Sequence, residues 1–158
     1  MSKESRKDEI RRFVARRPRA AYDYEILEKY EAGLVLLGSE VKSLRDGHVS
    51  IEEAYGRIRN GEVFLLNMEV PPYANAPLGG HAPKRVRKLL LHRREILKLQ
   101  SKTKERGLTI VPLALYFKDG IAKIEIGLGK GRKKWDKRDH LRKEEVKRDL
   151  RQQAGRRR

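Results

Sequence analysis

Two dipeptides constrain this chain more than anything else in it. Asn60-Gly61 and Asp119-Gly120 each separate two apolar or alternating runs. Asn-Gly is favoured in type I′ turns, where both central residues need positive φ and the turn's twist matches that of the strands. The chain is therefore expected to be built on antiparallel hairpins. The first joins residues 54–59 to 62–70, with Phe64, Leu66, Met68 and Val70 placed on one face. The second joins 108–117 to 121–128, where Ala122, Ile124, Ile126 and Leu128 alternate with Lys123, Glu125 and Gly127. Pro112 lacks an N–H for the ladder, so a bulge or an edge is expected there.

The remaining elements are short. Tyr22, Tyr24 and Ile26 alternate with Asp23 and Glu25, a strand pattern, and Leu34 to Leu37 form a second apolar run. Residues 39–47 read as a helix with Ser39 as N-cap and Gly47 as terminator. Residues 71–86 hold four prolines and Gly79-Gly80, so they form a long loop. Leu89 to Leu91 is a buried strand or a helix entry. Residues 93–106 read as a helix with Ile96 and Leu99 inward and Gly107 as its stop. The fold class is mainly β: a small closed antiparallel OB-like barrel of about six to eight strands with two or three short peripheral helices. A ferredoxin-like sandwich is the alternative, disfavoured by the strand count and the poor βαβ spacing.

Charge is distributed unevenly along this frame. The formal balance is +17, from 39 Lys and Arg against 22 acids. Residues 1–21 carry 8 basic and 3 acidic side chains, and residues 129–158 carry 14 and 5, whereas residues 22–128 are nearly balanced. A near-neutral body with two basic arms suits a polyanion, because each Lys or Arg that neutralises a phosphate releases condensed counterions. A solubilising basic tail is the plainer reading. The domain expectation is a flexible basic arm over 1–20, a barrel over 21–128 and a basic tail over 129–158. In the tail, Asp136 is a candidate helix cap. From 137 to 153 only Leu141, Val146 and Leu150 are large and aliphatic, too few for a stable amphipathic face. The tail is expected to be disordered when free and to become helical on a phosphate-lined surface.

Several chemistries are excluded or weak. Without cysteine there is no disulfide framework, thiolate-ligated zinc or thiol nucleophile. No apolar run reaches the roughly 18 residues of a membrane span, and no apolar signal core opens the sequence, so a cytoplasmic protein is expected. His48, His81, His92 and His140 show no metal spacing, and neither a metal nor a cofactor is expected. Gly127 to Gly131 has phosphate-loop punctuation without the Gly-Lys-Ser/Thr ending. Glu31 and Glu40 are a conceivable carboxylate pair for metal-assisted phosphodiester cleavage, though such residues more often hold an arginine. Arg94, Lys98, Lys102 and Arg106 recur at i+4 as a basic ridge. Tyr55, Arg57 and Arg59 combine an aromatic ring with two cations on one strand face, as base-stacking platforms do. Trp135, alone in a segment with no core to enter, is read as a stacking residue.

Three runs carry a family resemblance. YEAGLVLLGSEVKSLR over 30–45, RKLLLH over 87–92 and GLGKGRKKWDKR over 127–138 resemble, in order, the signatures of the SsrA-binding (small protein B, SmpB) family. The likeness runs from about Ala20 to Arg151. Tyr22 stands where the family commonly has His, Ser39 where Thr or Trp is usual, and Arg132 where Lys is usual.

The resemblance implies a bacterial, non-enzymatic RNA-binding protein. Its partner would be transfer-messenger RNA, delivered to stalled 70S ribosomes for trans-translation, with an elongation factor engaged through the RNA. Tyr24, Glu31, Gly33, Glu40, Lys42, Ser43, Arg45, Arg87, Lys88, Leu91 and His92 would sit at the face holding the tRNA-like domain. Lys133, Lys134, Trp135, Asp136, Lys137 and Arg138 would enter the empty decoding site and mRNA channel. The alternatives are an RNA-processing or RNA-modifying enzyme on the same barrel, and a constitutive ribosomal protein.

Overall fold

A computed structural model describes residues 11–72, 81–105, 107–132 and 134–156. Its strands are β1 (Arg11–Arg16), β2 (Tyr24–Leu34), β3 (Tyr55–Arg59), β4 (Glu62–Leu66), β5 (Arg87–Leu90), β6 (Leu108–Lys118) and β7 (Ile121–Gly131). Its helices are α1 (Ala20–Asp23), α2 (Gly38–Arg45), α3 (Arg93–Thr103) and α4 (Lys134–Arg156). The sheet runs β1-β6-β3-β4-β5-β2-β7, and β6 also pairs with β7, so β2 to β7 close into a ring. The ladders are antiparallel throughout. The structure is the small OB-like barrel expected from the hairpin pattern.

Both predicted turns carry the conformation their sequences favour. Asn60 and Gly61 have φ of 51° and 72°, and Asp119 and Gly120 have 52° and 78°. The β6–β7 register shifts between Pro112 and Ala114, the bulge that proline imposes. The ring closes where β3 meets β6 at a single pair, Gly56 with Ile110. A Cβ on Gly56 would lie 2.5 Å from Ile110 Cγ2, so only glycine allows this seam.

Inside the ring, Ala32, Leu44, Val63, Leu65, Leu89, Leu99, Ile110, Leu115, Ile124, Ile126 and Leu128 form one apolar cluster with Met68 and Val70. The expected face of β4 is partly reversed. Val63 and Leu65 point inward with Met68 and Val70, while Phe64 and Leu66 are half-buried on the outside. The cause is Asn67, whose φ of 62° shifts the two-residue alternation by one position.

Other boundaries also move. Residues 11–16 of the arm read as flexible form β1, which pairs with β6 from Arg11↔Lys118 to Arg16↔Ala114. Phe13 supplies the anchor, its ring centroid 5.5 Å from that of Tyr116 and 3.8 Å from the Arg16 guanidinium. Tyr22 belongs to the single turn of α1 rather than to the strand that follows. Leu37, not Ser39, precedes the first turn of α2, and its N–H donates to Glu40 Oε1 at 2.8 Å. The barrel, expected to end at residue 128, continues through β7 as far as Gly131, paired with Tyr24.

Candidate nucleic-acid interface

The family-like residues separate into an exposed set and a buried set. Glu31, in mid β2, is the hub of the first. Its carboxylate accepts a hydrogen bond from the Tyr116 hydroxyl, and Lys118 Nζ and Arg11 Nη2 approach it at 3.2 and 3.4 Å. Partial burial pushes the Glu31 carboxyl up, but these three donors outweigh it and hold the group below the usual carboxylate range. Burial, reinforced by the bond to Glu31, pushes the Tyr116 phenol well up. One carboxylate among two cations leaves the locality positive.

Arg12 Nη2 donates to the Arg45 carbonyl oxygen at 3.5 Å, tying β1 to the end of α2. Lys42 and Arg45, both exposed on the last turns of α2, extend the basic face begun by Arg11 and Lys118. Arg11, Arg12, Tyr116 and Lys118 were not singled out from the sequence. No local pattern marks them, because their meeting with Glu31 depends on β1 and β6 pairing across about a hundred residues.

A second basic cluster lies beyond the N-terminus of α3. Lys29, Tyr30, His92, Arg94, Glu95 and Lys98 line one depression. His92 is exposed, and its N–H donates to Glu95 Oε1 at 3.1 Å, which fixes the start of the helix. Leu91 is half-buried against the core. Of the expected ridge, Arg94 and Lys98 are exposed, Lys102 is paired with Glu28, and Arg106 lies outside the described residues. Burial and its bond to Glu28 push the Tyr30 phenol up to about 12, so it stays a donor.

The buried set has a different task. Glu40 and Arg87 have no exposed surface, with Arg87 Nε 2.5 Å from Glu40 Oε2. Arg87 also donates to the carbonyl oxygens of Met68 and Arg85 at 2.8 Å and of Pro83 at 3.2 Å. Arg85 Nη2 donates to Glu40 Oε1 at 2.5 Å. Ser43 Oγ donates to the Pro71 carbonyl oxygen at 2.9 Å. His81 Nε2 lies 2.8 Å from the Val70 carbonyl oxygen, which only accepts, so Nε2 carries the proton and Nδ1 accepts from Ser39 Oγ at 2.8 Å. Together these bonds strap the ends of the 71–86 loop onto α2. Glu40, Ser43 and Arg87 are thus enclosed rather than presented, and the Glu31 and Glu40 carboxylates sit in separate networks. Among the described residues no group of three or more His, Asp or Glu is placed to hold a metal.

The other expected residues are distributed between these sets. Lys88 lies on the outer face of β5, 3.0 Å from Glu62. Gly33 is buried where β2 meets β5, and a Cβ there would come 3.3 Å from Leu90 Cβ. Tyr24 packs over Gly129, with the Arg17 guanidinium 5.7 Å from its ring.

The tail departs from the barrel as one helix. Lys133 lies outside the described residues, and Lys134, Trp135 and Asp136 form the first turn of α4, so the helix starts two residues before the expected cap. Lys137 Nζ is 3.4 Å from Asp23 Oδ1 and 5.4 Å from the Tyr22 ring centroid, and Arg19 lies 5.3 Å from the same ring. Arg132 donates from Nε to the Ala21 carbonyl oxygen at 3.2 Å and from its backbone N–H to that of Asp23 at 2.9 Å. Arg138, Leu141, Val146 and Leu150 are all exposed, so beyond its root the helix turns none of its described large aliphatic side chains against the barrel.

This arrangement has close counterparts. The model of the SmpB protein family matches residues 14–156. The SsrA-binding protein of Parafrankia sp. (strain EAN1pec) is 51% identical over 150 residues, 95% of each chain. That of Sulfurihydrogenibium sp. (strain YO3AOP1) is 53% identical over 137 residues, covering 87% of this chain and 90% of the relative. A chain of the solved structure "tmRNA-SmpB: a journey to the center of the bacterial ribosome" superposes with a TM-score of 0.64 at 45% identity, over 76% of this chain and 85% of that one. A family match that begins inside β1 and ends at the last residue of α4 takes in the closed ring, the second basic cluster, all of the first but Arg11 and Arg12, and the tail helix, and the chain belongs to the SmpB family.

Proposed function

We propose that this protein binds the tRNA-like domain of transfer-messenger RNA with its barrel and carries that RNA to stalled ribosomes, where the tail helix occupies the vacant decoding site. The observation that carries the reading is the 45% identical counterpart in a tmRNA–SmpB structure of the bacterial ribosome. The two clusters around Glu31 and around His92 fit the task. They offer cations and hydrogen-bonding groups at fixed positions on strands and on the helices packed against them, which suits recognition of a folded RNA by shape, 2′-hydroxyls and phosphates. The buried Glu40–Arg87 network supports that face by positioning α2, and hence Lys42 and Arg45. Catalysis has no part in this reading, and the protein acts as an RNA carrier.

Lys134 to Arg138 would be the first residues to meet the ribosome. A helix that is polar all round and whose described side-chain contacts with the barrel lie near Tyr22 and Asp23 is poorly supported alone and well suited to an RNA-lined channel. The test is a truncation after Arg132, which keeps β7 and its Arg132 anchor. Binding to the tRNA-like domain should persist while peptide tagging on stalled ribosomes is lost. If the truncated protein no longer binds the RNA, the division between barrel and tail is wrong.

A further inference from the structure

The phase shift at Asn67 has a consequence on the outside of the barrel. It places Phe64 and Leu66 on the outer face of β4, and neither belongs to the core cluster. The ladders set their neighbours. Tyr55 is opposite Leu66, Arg57 is opposite Phe64, and Phe64 is in turn opposite Lys88. Arg57, Ile58, Arg59, Phe64, Leu66 and Val86 line one groove, with Tyr55 exposed at its end and Val86 half exposed. Leaving such a surface in water forfeits about 25 cal/mol per Å² of apolar area.

The groove's charge identifies what covers it. Among the described residues Arg57 and Arg59 have no acidic partner. Glu62, opposite Arg59 in the ladder, is engaged instead by Lys88 at 3.0 Å. An apolar protein segment would fill the groove and leave two arginines unmatched at its edge. An unpaired stretch of RNA satisfies both halves, with bases against Tyr55 and Phe64 and phosphates on Arg57 and Arg59.

We infer that the outer face of the β3–β4 hairpin is a second RNA site, which takes unpaired nucleotides by stacking on Tyr55 and Phe64. It is distinct in residues from the face proposed above for the folded tRNA-like domain. Strand geometry suits the role, since alternate side chains on one face recur at about 7 Å and hold the rings in fixed positions.

The experiment is anisotropy titration of the full chain with a fluorescein-labelled single-stranded RNA octamer, in salt high enough to suppress the tail's contribution. Tyr55→Ala should weaken binding roughly 5- to 150-fold, the range of one base–aromatic stack. Tyr55→Phe should bind as the parent does, and the double variant Arg57→Glu, Arg59→Glu should flatten the salt slope by about two. Near-ultraviolet circular dichroism checks that each variant is folded. Ultraviolet cross-linking should label peptides containing Tyr55 or Phe64. An octamer that ignores Tyr55→Ala and cross-links only within 134–156, or one that does not bind at all, overturns the inference and leaves the groove to a protein partner. Titration with the isolated tRNA-like domain should be unaffected by Tyr55→Ala. Failure of the parent protein in that arm would instead defeat the function proposed above.

Discussion

Glu40 and Arg87 are 47 residues apart in the chain and meet inside it, Arg87 Nε to Glu40 Oε2, at 2.5 Å. Neither side chain reaches solvent, and the guanidinium satisfies three backbone carbonyls besides the carboxylate. The pair converts a charge that is costly to bury into the strap that holds residues 83–87 onto α2.

Breaking that pair should therefore be expensive. Arg87→Met strands a buried carboxylate with only Arg85 to balance it, and a loss of about 3–5 kcal/mol is expected in urea denaturation. Arg87→Lys should fail to rescue, because an ammonium lacks the planar fork that reaches four acceptors. A lysine variant that unfolds at the parent's urea midpoint would contradict this account.

Acid should act through the same network. Burial pushes the Glu40 carboxyl up, but hydrogen bonds from Arg85 and the Leu37 N–H, with the Arg87 charge, outweigh it and leave the group below its ordinary 4.5. A carboxyl lowered on folding stabilises the native state fully above its unfolded value, and loses that contribution as pH falls through the folded one. Melting temperature should be level from neutral pH to about 5 and decline below it. Glu40→Gln should start lower and show a shallower acid decline, and an unchanged slope would assign acid sensitivity elsewhere.

The seam of the barrel gives a packing test. Gly56→Ala puts a Cβ 2.5 Å from Ile110 Cγ2 and 2.7 Å from its Cβ, so the strands must part. A cost of about 1–3 kcal/mol is expected. Ile110→Ala removes the nearer contact but keeps the Cβ. The double variant should therefore lose less than the two single losses combined, in a denaturation cycle. Simple additivity would mean that the seam is not the point of contact.

Phe13 decides whether the N-terminal strand stays on the sheet. Its contacts with Tyr116 and Arg16 are of a kind worth about 1–2 kcal/mol together. Phe13→Ala should speed amide exchange in residues 11–16 while amides bonded between β6 and β7 remain protected. Equal protection of β1 in both proteins would show that the backbone ladder alone retains it.

Much of the architecture was legible because the signals were local. Asn60-Gly61, Asp119-Gly120 and Gly47 set their turns through backbone conformations that few residues adopt, and they appear where expected. Pro112 announced its bulge in the same way. The arm was misjudged because Phe13 packs on Tyr116 of β6, a partner about a hundred residues away that no local pattern marks. The face of β4 was misread because positive φ at Asn67, a single non-glycine residue, moved everything after it by one place. The carboxylate pair dissolved for a related reason, since the surroundings of Glu31 and Glu40 come from β1, β6 and the 81–87 segment.

By itself the sequence determined the antiparallel β class, the near-neutral body with basic extensions, and the family. These depend on turn conformation, alternation and order of residues, which act over a few positions or are simple sums of charge. Only the tertiary structure decided which charges face solvent and which are enclosed. Arg87 and Lys88 are neighbours in one signature, yet one is sealed against Glu40 and the other stands outside beside Glu62. Adjacent residues on a strand point to opposite faces, and what each face meets is set by ring closure between strands far apart in the chain.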